Sequence, residues 1–249
     1  MLLDDPYMSR PRLAAARQLQ RVGQWDLAVD MLAAEPPDPT TAALRAEILV
    51  DRHWWCLDRA AEAQQAVTGL TEDHSNSALA ALLDAQLRYT RAMFGTQFGL
   101  DPGPDDALLA EQAFRQATDD ERLRGWATFW LGVLADNLHH DQASAANRYA
   151  HALQLADIDD DQLLISYVVR HQGFHLLDSD HEQAVARLRS SLYLRAALGA
   201  RPHVASAQAT LADALPAGAE RDVLRDTATR LAGDLGLSWL LAMLRGDPT

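Results

Sequence analysis

His171 and His175 stand four residues apart, a spacing that puts both imidazoles on one face of a helix, where they could hold a metal ion. His139 and His140 fall at the equivalent end of an earlier helix of the same kind. The region of His139, His171 and His175 is therefore where a metal- or small-molecule-binding sensor, or an enzyme, would be sought. Zinc needs three or four ligands converging on short bonds, and spacing alone brings in no third ligand. With nine histidines in the chain, pairs at this spacing arise by chance, so no metal is expected. Two acidic ladders, Asp157, Asp159, Asp161 and Asp178, Asp180, Glu182, alternate as the opening of a calcium loop does. Both lack glycine at the sixth position, and the twelfth residue is Val168 or Arg189 where the calcium loop has glutamate. Each ladder precedes a helical pattern, where acids satisfy free N–H groups and favour the helix dipole; capping is the better reading. Cys56, between Trp55 and Leu57, has apolar neighbours and reads as a core thiol rather than a nucleophile. As the single cysteine it forms no internal disulfide, which fits a reducing compartment.

Whole classes of chemistry are missing. All 22 basic residues are arginine, and without lysine there is no P-loop, no Schiff-base or pyridoxal-phosphate mechanism and no kinase strand lysine. No GxSxG, GxGxxG or HExxH pattern occurs. The expectation is a protein that is not an enzyme and has no cofactor. A net charge of −13 repels phosphate backbones, so nucleic acid is not an expected partner. Arginine without lysine, with abundant Ala and Asp, reads as the codon bias of a GC-rich, actinobacterial genome. The acidic start lacks the basic-then-apolar order of a signal peptide, and no apolar run reaches the ~18 residues of a membrane span, so a cytoplasmic protein with no membrane partner is expected.

These side chains need a framework, and composition points to helices. Hydrophobic residues make up 48% of the chain but aromatics only 6%, so the interior is built mainly from the strong helix formers Ala and Leu. The chain reads as helix, turn, helix, over 9–22, 24–34, 40–51, 53–68 and 77–94, then 105–117, 120–138, 142–156, 161–177, 181–198 and 203–215. Gly23 stops the first helix, Ser75 or Asn76 can cap the fifth, and 219–233 and 237–245 close the array. Within 181–198, Ala184, Leu188, Ser191, Leu192, Arg195 and Leu198 recur at three- and four-residue spacings and form one buried stripe. One domain is expected over 1–249, with N-terminal hairpins in 1–94 and an exposed loop or hinge at 95–104. The best repeats lie in 105–215, and capping helices fill 216–249.

Ala110, Phe114 and Ala117, followed by Leu131 and Gly132, are spaced as in the tetratricopeptide repeat, and the chain resembles that family. Gly173, Ala184 and Ser191 recur in the same order, and Ala16, Gly23, Ala28 and Leu32 mark the first hairpin. The stretch from Ser191 to Gly199, with Val204 to Leu211, is similar to the repeat arrays of large actinobacterial transcription regulators, without their ATPase or DNA-binding modules. The resemblance implies an all-α, right-handed solenoid of about five to six hairpins with a C-terminal capping helix. Gly132 to Gly173 and Gly173 to Ala212 both exceed the standard unit of about 34 residues, so a regular superhelix is not implied.

In that family the first helix of each hairpin lines a concave, peptide-binding groove. Carried onto this chain, the groove residues are Arg17, Arg21, Trp126, Phe129, Val133, Asn137, Tyr167, Arg170 and Phe174. Arginine beside aromatics suits an acidic or aromatic-bearing peptide, because guanidinium forks onto carboxylates and stacks on rings. The same aromatics at helical spacing also fit an ordinary core. The implied function is a non-catalytic, regulatory scaffold for a protein or peptide, with a homodimer through an exposed helix face also compatible. A dedicated chaperone or immunity partner of one protein is the other reading in this class.

Overall fold

The computed structural model describes residues 10–71 and 74–246, and every regular element among them is helical. In chain order the helices are α1 (Pro11–Arg21), α2 (Trp25–Ala33), α3 (Pro39–Cys56), α4 (Ala60–Thr71), α5 (Ser77–Phe94), α6 (Asp106–Ala117) and α7 (Arg124–Asn137). There follow α8 (Gln142–Asp159), α9 (Gln162–Leu176), α10 (His181–Ala197), α11 (Arg201–Ala214), α12 (Ala219–Leu235) and α13 (Ser238–Arg245).

Local chemistry sets most boundaries. Asp38 caps α3, accepting from the Thr40 and Thr41 N–H groups at 2.9 and 3.2 Å, with Pro39 supplying the preset φ of the first turn. Asp161 and Asp180, members of the two acidic ladders, accept from the Leu164 and Gln183 N–H groups, so capping is what these acids do. Asn76 stands at the start of α5 but makes no such bond; its amide donates to the Pro39 carbonyl instead. The largest departure from expectation is α3, which runs unbroken to Cys56 and carries Trp54 and Trp55 at its end rather than at the start of a new helix. It stops where Leu57 and Arg59 both take left-handed φ values of 54° and 50°, a turn made without glycine. Such conformations carry a steric cost for residues with a Cβ, which is why the sequence pattern does not show the break.

Consecutive helices pack against one another throughout, and α1 to α9 also touch in odd-numbered pairs: α1 with α3, α3 with α5, α5 with α7, α7 with α9. Gly132 of α7 is one reason helices come so close. A Cβ there would lie 2.7 Å from a Tyr149 ring carbon of α8, nearer than side chains tolerate.

Ring contacts among the odd-numbered helices close into a circuit. Trp54 of α3 meets Tyr89 of α5 at 6.0 Å between centroids and Trp130 of α7 at 5.6 Å. Phe129 of α7 meets Tyr167 of α9, and Tyr167 meets His203 of α11, each at 5.3 Å. His203 returns to Trp55 of α3 at 5.0 Å. Into this circuit α13 inserts Trp239, stacked on Trp55 at 5.5 Å and on Phe94 at 6.0 Å. Helices α1 to α3 therefore meet α11 to α13. Gly23, at φ +79°, lies against Leu235 and Pro202, and the Ser238 hydroxyl donates to the Cys56 carbonyl at 2.6 Å. One apolar cluster joins Leu13, Trp25 and Ile48 to Ala209, Leu235 and Leu240. Burying a Trp the size of Trp55, 2% exposed, makes its truncation to Ala cost roughly 3–5 kcal/mol.

Candidate functional site

The groove residues expected from the sequence divide into three groups. Phe129 and Val133 are 1% and 4% exposed and belong to the core, which corrects their assignment to a binding face. They lie on the side of α7 that closes the ring circuit, and helical periodicity does not distinguish that side from an open groove. Arg17, Trp126 and Asn137 are committed within the chain. Arg17 pairs with Glu47 at 2.6 Å, the Trp126 indole donates to Asp161 at 2.8 Å, and the Asn137 amide donates to the Tyr89 hydroxyl at 2.7 Å. Arg21 is half-buried in the last turn of α1.

The third group does come together. Tyr167, Arg170 and Phe174 follow one another along α9 at three- and four-residue spacing, and all three are half-buried. The Arg170 guanidinium lies 4.6 Å over the Phe174 ring, and Tyr167 meets the Trp126 ring at 5.3 Å. Arg170 donates from Nε and Nη2 to the Thr210 hydroxyl of α11, at 3.1 and 2.9 Å, and among the described residues no carboxylate bonds it. Burial and the nearby Arg195 charge lower its pKa to about 9, so it stays a cation at neutral pH.

Arg195 of α10 lies behind Tyr167, its guanidinium 4.7 Å over that ring and the whole residue 1% exposed. Its Nε donates to the Ser166 hydroxyl at 3.3 Å and its Nη1 to the His203 carbonyl at 3.1 Å. Burial lowers it to about 10. Its Nη2 is buried without a hydrogen-bond partner, and so is Nδ1 of His203. His203 stays neutral, because burial and then the Arg195 charge hold its pKa well below the usual histidine value.

The histidines separate. His139 sits beside Glu111 at 3.6 Å in a surface groove between α6, α7 and α8. His171 and His175 instead gather round Asp136. His175 Nε2 donates to the carboxylate at 2.9 Å, and the Tyr149 hydroxyl donates to it at 3.1 Å while lying 3.0 Å from His171 Nδ1. Burial pulls the Asp136 pKa up, but the adjacent His171, 4.0 Å away, and the bonds from His175 and Tyr149 outweigh it and the net shift is downward. Burial depresses His171 to about 4, so it stands neutral beside the Asp136 carboxylate. This arrangement orients the α7, α8 and α9 side chains. Among the described residues no group of three or more His, Cys, Asp or Glu is placed to hold a metal. The Cys56 thiol is pushed up to about 12 by burial, too high to supply a thiolate at neutral pH. No helix among the described residues is long and apolar enough to cross a membrane.

Arg195, His203, Tyr149 and Asp136 were not among the sequence candidates for this face. Arg195 alone carried a signal, as an arginine on an otherwise apolar helical stripe. The chain matches no family model and no curated protein sequence, so the reading of the α9 face rests on these residues themselves.

Proposed function

We propose that the chain is a non-catalytic binding scaffold that receives an acidic, aromatic-bearing segment of a protein or peptide on the face formed by α7 and α9. The observation that carries this reading is Arg170, a half-buried guanidinium stacked on Phe174 and bonded to no carboxylate. A guanidinium so placed has unused donors for a carboxylate and a ring plane already aligned beside it. The chain's own rings and α13 occupy the space between the odd-numbered helices, so this reading puts the partner on the outer face of α9 rather than in a through-going groove. The order of small and aromatic residues from Ala110 to Gly132 supports a tetratricopeptide-like framework, although the interval from Gly132 to Gly173 exceeds the standard unit, and the similarity to regulator arrays supports a regulatory role in a cytoplasmic setting.

A displayed peptide library panned against the protein tests this, with the Arg170→Glu, Phe174→Ala double variant as counter-selection. The expected yield is peptides rich in Asp, Glu and aromatics that lose about tenfold or more in affinity on the double variant, as for a lost charge-assisted bond and ring contact. Circular dichroism of the variant checks that it is folded. Peptides that bind both proteins equally would remove the α9 face from consideration.

A further inference from the structure

We propose that the surroundings of Tyr167 form a binding subsite for a small monocarboxylic acid bearing an aromatic ring, with Arg170 and Arg195 as its cationic groups. The proposal rests on reading the α9 face as a binding surface, and goes beyond it by naming a small regulatory ligand.

Four side chains from three helices converge on the Tyr167 ring: Arg195 over its face at 4.7 Å, His203 edge-on at 5.3 Å, and Trp126 and Phe129 each at 5.3 Å. Two of the converging groups hold a buried donor or acceptor atom without a partner, Arg195 Nη2 and His203 Nδ1, and each residue is more than nine-tenths buried. Arg170, one turn along α9, brings the second guanidinium. It is partly buried where Arg195 is 1% exposed, which makes it the guanidinium nearer to solvent. The nearby carboxylates are engaged elsewhere. Asp136 accepts from His175 and Tyr149, and Asp51 from Trp25, Gln20 and Trp55. Two guanidiniums thus share a ring-walled site with only hydroxyl, carbonyl and π partners. An unneutralised buried cation is unfavourable, and an anion supplied from outside relieves it.

The chemistry of the anion follows from the walls. A carboxylate offers two coplanar oxygens that match the guanidinium fork and carries a single charge. A dianionic phosphate would have to shed far more hydration to enter a site walled by Tyr167, Trp126, Phe129 and Phe174. Those rings favour a ligand that presents a ring of its own. The partnerless atoms of Arg195 and His203 are buried, and a compact acid could meet them without bringing backbone amides that must also be satisfied, as a polypeptide would.

The full-length protein is titrated with phenylacetate by calorimetry, beside phenylacetamide, acetate, inorganic phosphate, and a short peptide ending in phenylalanine as free acid or amide. Phenylacetate is expected to bind at least about tenfold tighter than phenylacetamide, the factor of a charge-assisted bond. Arg170→Met and Arg195→Met should each lose most of that preference. Arg195→Met should also melt at the wild-type temperature or above when unliganded, because a buried unpaired charge has been removed. Arg195→Lys, which keeps the charge without the fork, should bind between the two and covers the case in which the Met variant fails to fold. Equal binding of acid and amide, tighter binding of phosphate, or unchanged phenylacetate binding in Arg195→Met would overturn the subsite. A phenylalanine-ended peptide acid that binds as tightly as phenylacetate would overturn the assignment to a small free acid. None of these results touches the scaffold reading, which stands or falls on whether panned peptides lose affinity on Arg170→Glu, Phe174→Ala.

Discussion

Arginines in two regions of this molecule are used in different ways. From α1 to α6 most of them end on carboxylates. Arg10 spans Glu35 and Asp38, Arg52 spans Asp26 and Asp58, and Arg88 and Arg91 converge on Asp106. Around α9, Arg170 and Arg195 end on hydroxyls, a carbonyl and aromatic faces. An arginine closed onto a carboxylate has its charge and directional donors satisfied within the fold. An arginine left on a hydroxyl in a ring-walled interior does not, and the proposed binding face rests on that difference rather than on the number of arginines.

The largest effect should come from breaking a closed pair. Asp106 is 4% exposed and accepts from Arg88, from Arg91 and from the Gly103 N–H. Burial pulls its pKa up, but the Arg91 bond and the rest of this set outweigh it, so the acid is held below its ordinary value. Asp106→Ala takes the α6 carboxylate away from two neighbouring guanidiniums of α5, Arg88 and Arg91, of which Arg88 still has Asp84. The expected loss in a urea or guanidinium melt is about 3–4 kcal/mol, the lower part of the range for a broken buried pair because both arginines keep some solvent contact. A loss below about 1 kcal/mol would put the Asp106 cluster with weak surface pairs and weaken the contrast.

Asp51 is the acidic counterpart of the unpaired arginines. It accepts from Trp25, Gln20 and Trp55, and burial still raises its pKa from 3.8 to about 6. A carboxyl whose native pKa lies above its unfolded value favours folding while protonated. That contribution is complete below about pH 4 and is lost as the pH rises through 6. The shift corresponds to up to about 3 kcal/mol. Asp38, Asp106 and Asp136 titrate with the opposite sign, so the quantity to measure is the gap in unfolding free energy between wild type and Asp51→Asn. Wild type should lose ground against the variant between pH 4 and 7. A flat gap would mean the three N–H donors fully offset burial.

The framework was legible because its local signals agree. Asp161 and Asp180 cap as their positions suggest, Gly23 takes the left-handed turn, and the stripe through Ala184, Leu188 and Ser191 is buried. The end of α3 was not, because Leu57 and Arg59 make a left-handed turn that tertiary packing imposes on residues with no local preference for it. The site was half legible. Arg170 and Phe174 share a face by simple spacing, but whether Phe129 lines a groove or a core depends on which neighbour α9 brings to it. Arg195 stood in the sequence as a charge on an apolar stripe. Only the approach of α9 and α11 shows that it meets Tyr167 and the His203 carbonyl instead of an acid.

Thr210→Val gives a smaller and more pointed test. Thr210 is 5% exposed and its hydroxyl is the acceptor for Arg170, while donating to the Ser206 carbonyl. Valine keeps the shape and removes the two bonds from Arg170 and the one to Ser206, at an expected cost of about 1–2 kcal/mol. Unlike Asp106→Ala, it should leave Arg170 freer for an external anion. Phenylacetate affinity should therefore hold or rise while stability falls. If both fall together, Thr210 holds Arg170 in its binding position.

The smallest effect belongs to an arginine that is paired but exposed. Arg189 of α10 bonds Glu220 of α12 through both terminal nitrogens, and the Glu220 side chain is 54% exposed. Hydrogen bonding to Arg189 lowers the Glu220 pKa, but water screens the pair and ordering two long side chains opposes it. Glu220→Ala should shift neither the denaturant midpoint nor the melting temperature beyond error, and any small change should vanish at high salt. Arg189 and Arg195 lie on the same helix, so this pair sets solvent exposure against burial within one element. A clear loss of stability in Glu220→Ala would show that charge pairing across α10 and α12 matters even in water, and the contrast between closed and open arginines would then have to be redrawn by position in the fold rather than by partner.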